Sequence, residues 1–372
     1  MKRTDFSVDW LFAACAPDTE LLPWNAQFTP VDLPHDWQIR HADDLYRDGT
    51  LFYRKYFFVT DVPGTRRMLW FGGAYMDTTV FVNGTEIGQW KYGYTSFWFD
   101  ITDALHEGQN EVLVRCNLRH PNSRWYSGAG LYRNVELWEA PDLHLMPDGL
   151  YVAAKEGDNG AWTVAVTAEA GSVTAASAGR TLTLHLTDDN GSLLGTAAIP
   201  ADAWAALPSP DGWRTGKETA IYKASHTFTL QDPALWDLDA PSFYHITAEL
   251  TGADGVTDTL TTRFGCRTIE ATPDCGLLVN HKRVLIRGVC IHHDFGCLGS
   301  AFEYSAAKRQ LEILKSMGVN SIRTGHTPPA PQFMDLADEM GILMDVESFD
   351  CWRSGKNPYD YGRFFDKWQE KD

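Results

Sequence analysis

Apolar and polar positions follow two different periods along this chain. Up to about residue 268 the pattern is that of short strands. LFYRKYFFV (51–59), RRMLWFGGA (66–74), DTTVFVNGTEIGQW (77–90), TSFWFDIT (95–102), NEVLVRCN (110–117) and RNVELWEA (133–140) alternate or run apolar and β-branched. Pro63-Gly64, Asn83-Gly84 and Glu107-Gly108 punctuate them as turns. Asn83-Gly84, between VFV and TEIG, carries the strongest hairpin signal. Short antiparallel strands at this spacing predict a jelly-roll β-sandwich over 1–140. WTVAVTAEA (162–170), RTLTLHLTD (180–188), IYKASHTFTL (221–230), YHITAELT (244–251) and DTLTTRFGCRTIE (258–270) predict an immunoglobulin-like sandwich over 141–268. Small and polar residues at 155–179 and 200–217 suggest surface loops.

From about residue 269 the period becomes that of alternating strand and helix. RVLIRGV (283–289) reads as a buried strand. Ala307, Leu311, Leu314 and Met317 recur at helical spacing, stopped by Gly318. NSIRT (320–324) is a strand. A helix over 331–340 presents Phe333, Leu336, Ala337 and Met340, stopped by Gly341. ILMDVE (342–347) is a third strand, and 361–371 a further helix. Such alternation means parallel β/α architecture. A doubly wound nucleotide sheet needs a Gly-rich turn after a strand, and the sequence has neither GxGxxG nor GxxxxGK[ST]. A (β/α)8 TIM barrel instead places polar residues just after each strand. They lie there: His292, His293 and Asp294 after the first, Arg323 in the second with His326 after it, Glu347 and Asp350 after the third. Eight units need about 250 residues. Residues 269–372 hold room for three and part of a fourth, so the chain reads as the N-terminal portion of a longer protein.

Composition changes this picture in three ways. The net charge of −17 argues against nucleic acid and anionic membranes as partners. No apolar run approaches the roughly 18 residues of a transmembrane helix, and Asp5 and Asp9 break the N-terminal apolar stretch, which argues against a secretory leader. Seven scattered cysteines with no CxxC pair fit reduced thiols in a cytoplasmic protein. Fourteen tryptophans are many. Most serve packing, but Trp and Tyr beside polar loops are also how proteins grip the apolar face of a pyranose.

Several motifs, in order, resemble glycoside hydrolase family 2, the family of β-galactosidases, β-glucuronidases and β-mannosidases. LPHDW (33–37), the stretch from Gly72-Gly73 to Val82-Asn83-Gly84, and SRWYSGAGLYRNV (123–135) resemble its N-terminal sugar-binding jelly roll. RGVCIHHDFG, NSIRTGHTPP and ESFDCW resemble the opening of its catalytic barrel. The likeness covers essentially the whole chain, and its wording is that of the β-galactosidases. It implies hydrolysis of terminal β-linked sugars, a β-galactoside or related oligosaccharide as substrate, and a homo-oligomer as the full-length protein.

The resemblance implies a retaining mechanism with two glutamates about 5–5.5 Å apart, an acid/base in an Asn-Glu pair after barrel strand four and a nucleophile at strand seven. Neither has a position here. The sole Asn-Glu, Asn110-Glu111, opens a sandwich strand, so the 372-residue chain is expected to be inactive alone. What the resemblance carries over is a substrate-binding wall. His292 and His326 would hydrogen-bond the sugar, and Arg323 would orient a carboxylate through its planar fork. Asp350 would face sugar hydroxyls, Trp352 would stack on the ring, and Arg124 and Trp125 would reach in from the jelly roll. Glu347 stands in Val-Glu-Ser where the family has Asp-Glu-Ala, so a site role competes with an ion pair to Arg323. His293 divides between support and surface. No cofactor is implied; some relatives hold Mg2+ or Na+ near the site, while no HExxH-like zinc set is present. A non-catalytic carbohydrate-binding or scaffold chain and a β-glucuronidase remain the alternatives.

Overall fold

A computed structural model describes all residues except 42, 61–63, 174–178, 208–217, 219 and 253–254, together with the side chains of 256 and 257. Pro63 of the expected Pro63-Gly64 turn, and parts of the two expected polar loops, lie outside the described residues.

The chain begins with two antiparallel sheets. One has six strands in the order Thr29–Val31, Trp10–Cys15, Gly49–Val59, Gly108–Leu118, Thr78–Val82, Thr85–Trp90. The other has four, in the order Lys2–Asp5, Val135–Pro141, Thr65–Phe71, Phe97–Asp100. Strict alternation decides which face turns inward. In Gly108–Leu118 the side chains of Val112, Val114, Cys116 and Leu118 are buried and those between them are not. They meet Leu69, Phe71, Phe97 and Phe99 of the smaller sheet in one continuous core. The hairpin at Asn83-Gly84 forms, with Val82 opposite Thr85, and both turn residues have positive φ (49° and 79°).

A second pair of four-stranded antiparallel sheets follows. One is built on His144–Glu156, Ala161–Ser172, Ala220–Gln231 and Ala205–Leu207; the other on Leu193–Pro200, Thr181–Asp188, Tyr244–Gly252 and Gly255–Phe264. Alternating Val164 and Val166 face Leu182, Leu184, Ile246 and Ala248 in a separate core. The span 155–179, expected as loop, is mostly strand, because the WTVAVTAEA alternation continues through Ser172.

The period change near 269 marks a small antiparallel sheet, Ile269–Thr272, Gly276–Val279 and Lys282–Arg283, and then a parallel one. We label the parallel strands β1 (Gly288–Ile291), β2 (Ser321–Thr324) and β3 (Leu343–Val346), with helices α1 (Tyr304–Ser316) and α2 (Pro331–Glu339) between them. Both helices end at a glycine with positive φ, Gly318 (85°) and Gly341 (64°). Ala307, Leu311, Phe333, Leu336 and Ala337 bury against Ile322 of the central strand. Two expectations fail. Residues 283–289 are not one buried strand: β1 starts at Gly288, and Leu285 and Ile286 are 72% and 54% exposed. Met317 is 71% exposed. Leu285 and Ile286 lead into β1, which among the described residues is paired on one side only, and Met317 is the C-cap residue just past the last turn of α1. No helix among the described residues is long and apolar enough to cross a membrane.

Candidate active site

Parallel register aligns Cys290, Arg323 and Asp345 in one row and Ile291, Thr324 and Val346 in the next. Since Ile322 faces the helices, Arg323 and Cys290 stand on the opposite face. Arg323 Nη1 lies 3.4 Å from Cys290 Sγ, and its Nη2 donates to Glu347 Oε1. One residue past each strand end stand His292 and Glu347, and two past β2 stands His326. The three strand ends therefore bring His292, Arg323, His326 and Glu347 together.

The hydrogen bonds assign protons. His292 Nδ1 contacts the Gly325 carbonyl, which can only accept, so Nδ1 carries the hydrogen and Nε2 is left as acceptor. His326 Nδ1 is 2.7 Å from Glu347 Oε2 and 3.1 Å from Arg323 Nη2. It cannot donate to one and accept from the other. The shorter, charge-assisted contact to the carboxylate takes the proton. Both imidazoles thus turn Nε2 away from the contacts that hold them. Partial burial raises the Glu347 carboxyl pKa, but hydrogen bonds from His326 and Arg323 outweigh it and hold it below the usual carboxylate value. The Cys290 and Glu347 contacts raise the pKa of the Arg323 guanidinium further.

Trp125 comes from the first sandwich. Its ring lies parallel to His292 (5.8 Å, 7°) and edge-on to His326 (5.3 Å), and its indole N–H donates to Tyr94 Oη at 3.2 Å. It is buried, so it backs the two imidazoles and is not an open platform for a sugar. Arg124, Asp350 and Trp352 do not join this group. Asp350 accepts from Arg124 Nη2 (2.6 Å) and Lys356 Nζ (2.9 Å). Burial raises its carboxyl pKa, and these two cations more than reverse that. Trp352, with φ of 45°, packs on Phe349 and Phe365 and stays 56% exposed.

His293 faces the other way. It stacks edge-on against Tyr94 and Tyr132, and its Nε2 donates to the Ser127 carbonyl at 3.0 Å. Burial pushes its pKa down to about 4, so it is neutral. Two residues that no strand or helix period marks support the packing between the first sandwich and the β/α unit. Arg133 is buried and donates to the carbonyls of Gly72, Tyr94 and Pro328, holding the loop that follows His326. Asp36 of LPHDW accepts from Gln38, Tyr126, Ala129 and Ser300. Only their places inside quoted motifs mark them. Among the described residues no group of three or more His, Cys, Asp or Glu side chains is placed to hold a metal ion.

Two antiparallel sandwiches leading into a β/α unit, with imidazoles, an arginine and a carboxylate at the strand ends, define a multidomain β-rich protein of the glycoside hydrolase class. A family model described as glycosyl hydrolases family 2 matches residues 148–267, and one described as the TIM barrel domain of that family matches 271–359. Over its whole length the chain is 35% identical to β-galactosidase BoGH2A of Bacteroides ovatus, covering 44% of that protein. It is 30% identical to a putative β-glucuronidase of Formosa agariphila, of which it covers 35%. A crystal structure of a family 2 glycosyl hydrolase from Bacteroides cellulosilyticus superposes over the full chain with a TM-score of 0.87 at 28% identity, and the match spans 49% of that structure. The chain belongs to glycoside hydrolase family 2. It spans less than half the length of these curated relatives.

Proposed function

We propose that this chain forms one wall of a retaining β-glycosidase site, acting on a neutral terminal sugar, with β-galactosides as the substrate class. The observation that carries the reading is the convergence of His292, Arg323, His326 and Glu347 at three adjacent strand ends, with Trp125 behind them. On this reading the free Nε2 atoms of His292 and His326 bind sugar hydroxyls. Arg323 and Glu347 brace each other and fix the position of His326. The two carboxylates that break the glycosidic bond come from further strands of a longer protein, spaced as retention requires.

A neutral sugar is favoured over a glucuronate because the cation at this rim, Arg323, is already engaged by Glu347, and the cations of the separate loop cluster, Arg124 and Lys356, are engaged by Asp350. Domain boundaries near 140 and 268 fit the separate cores of the two sandwiches. The test compares nitrophenyl β-galactoside and nitrophenyl β-glucuronide. The longer protein carrying this chain is expected to hydrolyse the first and scarcely the second. The chain 1–372 alone is expected to hydrolyse neither, and turnover by it would overturn the assignment of the cleaving carboxylates. Preference for the glucuronide would overturn the neutral-sugar reading.

A further inference from the structure

A second feature suited to sugar lies away from the strand-end cluster and shares no residue with it. It is a groove of about 380 Å3 between the outer face of the four-stranded first sheet and the strand Ala161–Ser172. That volume is within the range of small-ligand sites. On one wall Trp98 sits opposite Trp70 in the strand register, and Trp70 stacks on Trp138 (5.6 Å, 15°). Trp98 is half-buried, so part of its ring faces the groove. On the other wall Tyr151 lies directly opposite Thr167, with Glu169 two residues along the same face. Leu150 and Ala168, the intervening pair, are buried, so Tyr151, Thr167 and Glu169 point outward, and Tyr151 is 67% exposed.

The floor of the groove is irregular. The strand His144–Glu156 breaks register between Leu145 and Leu150, and Asp148 in that bulge takes a left-handed conformation (φ 56°). Such bulges re-aim a side chain out of the ladder. Here the bulge brings the Asp148 carboxylate into the groove lining, where partial burial raises its pKa above the ordinary value. Two aromatic faces with carboxylates and a hydroxyl between them are complementary to a pyranose chain. A pyranose chain lying there would stack its C–H faces on Trp98 and Tyr151 and donate a hydroxyl to Asp148.

We propose that this groove binds a neutral β-linked polysaccharide and holds it beside the catalytic half of the protein. Charge selects the class. The lining has two carboxylates and one cation, Lys371, on a protein of net charge −17, so polyuronates are repelled. The choice of a galactan as probe rests on the β-galactosidase reading; the groove itself does not.

The experiment is native gel electrophoresis of the longer protein carrying this chain, through soluble β-1,4-galactan and, separately, polygalacturonate. Galactan is expected to retard the parent protein. Tyr151→Ala, at an exposed position that leaves the fold intact, is expected to weaken retardation about tenfold, the loss typical of one aromatic anchor. Trp98→Ala is expected to do the same. Both variants are expected to hydrolyse nitrophenyl β-galactoside at the parental rate. Absence of retardation, undiminished retardation in Tyr151→Ala, or equal retardation by polygalacturonate would overturn the proposal. A preparation that hydrolyses the nitrophenyl substrate yet ignores galactan refutes the groove alone. One that binds galactan through Tyr151 without hydrolysis refutes the catalytic reading alone.

Discussion

The seam between the first sandwich and the β/α unit and the rim at the ends of β1–β3 are built from the same residue types, yet they differ in how those residues are spent. In the seam Asp36, Arg133 and His293 are held by hydrogen bonds that reach across to other segments of the chain. Asp36 receives five hydrogen bonds, from Gln38 N, Tyr126 Oη, Ala129 N, Ser300 N and Ser300 Oγ. At the rim, Arg323, Glu347 and His326 keep side-chain exposures of 35%, 30% and 27% and bind mainly one another. A buried carboxylate is tolerated only when donors surround it, and those donors are then costly to strand. A half-exposed ion pair contributes little to stability. The seam is therefore where this fold is held, and the rim is where charged side chains stay open to solvent.

That contrast predicts where substitutions hurt the fold. Asp36→Ala removes an acceptor from five donors at once, and we expect a loss of about 4 kcal/mol in urea unfolding, the scale seen when one partner of a buried charged network is removed. Gly128→Ala comes next. A Cβ there would sit 1.8 Å from Ser300 Oγ, at a φ of 68°. The clash and the left-handed backbone together should cost about 3 kcal/mol. If either variant unfolds within 1 kcal/mol of the parent, on the order of the scatter among surface substitutions, the seam does not hold these parts together and the comparison breaks.

How much of this was legible differs between the two regions for a physical reason. The rim could be read because a parallel β/α unit puts polar side chains just past its strands, and strand period and helix stops can be read locally. That rule marks His292, Arg323, His326 and Glu347, and the fold brings them together. Arg124, Asp350 and Trp352 lie on loops, where no period fixes direction, and they form a separate ion pair and an aromatic contact. Trp125 illustrates the limit further: proximity to the imidazoles was inferable, but its burial under them was not. The seam was illegible because its bonds join residues as far apart as Asp36 and Ser300, and nothing in a one-dimensional pattern marks such a pair. Leu285 and Ile286 are apolar yet exposed, since burial depends on a covering element and not on apolarity alone.

The seam also carries a pH signature that sharpens the contrast. Burial holds His293 at a pKa of about 4 against an ordinary value near 6.5. The unfolded chain therefore binds the proton more readily. The stabilisation is fully present above about pH 6.5 and is lost as the pH falls through the folded value near 4. From pH 7 to 5 the loss from His293 alone is about 2 kcal/mol. His35, buried against Tyr53 and also held at about 4, adds a similar share. His293→Gln, which keeps a donor for the Ser127 carbonyl, should make the acid-induced fall in stability shallower by about 2 kcal/mol between pH 7 and 5. An unchanged pH profile in this variant would mean that His293 is not held neutral in the folded protein.

The rim supplies the smallest effect on stability and the decisive one on chemistry. Glu347→Gln keeps the shape of the side chain and an oxygen for Arg323, but removes the charge that anchors both Arg323 and the His326 proton. Glu347 is partly open to solvent, so its midpoint in thermal unfolding should stay close to that of the parent above pH 5. Its lowered pKa means any small contribution vanishes as pH falls through the folded value, and the variant should lose that acid dependence. Activity of the longer protein should respond differently. With His326 free to rotate or change tautomer, the geometry that presents Nε2 to a sugar hydroxyl is lost, and kcat should fall by about 100-fold. The same substitution thus separates the two regions: stability that tracks the parent with activity that does not identifies the rim as a site. Parental activity in Glu347→Gln would reduce the Arg323–Glu347 pair to a surface ion pair and leave His292 alone to carry the reading.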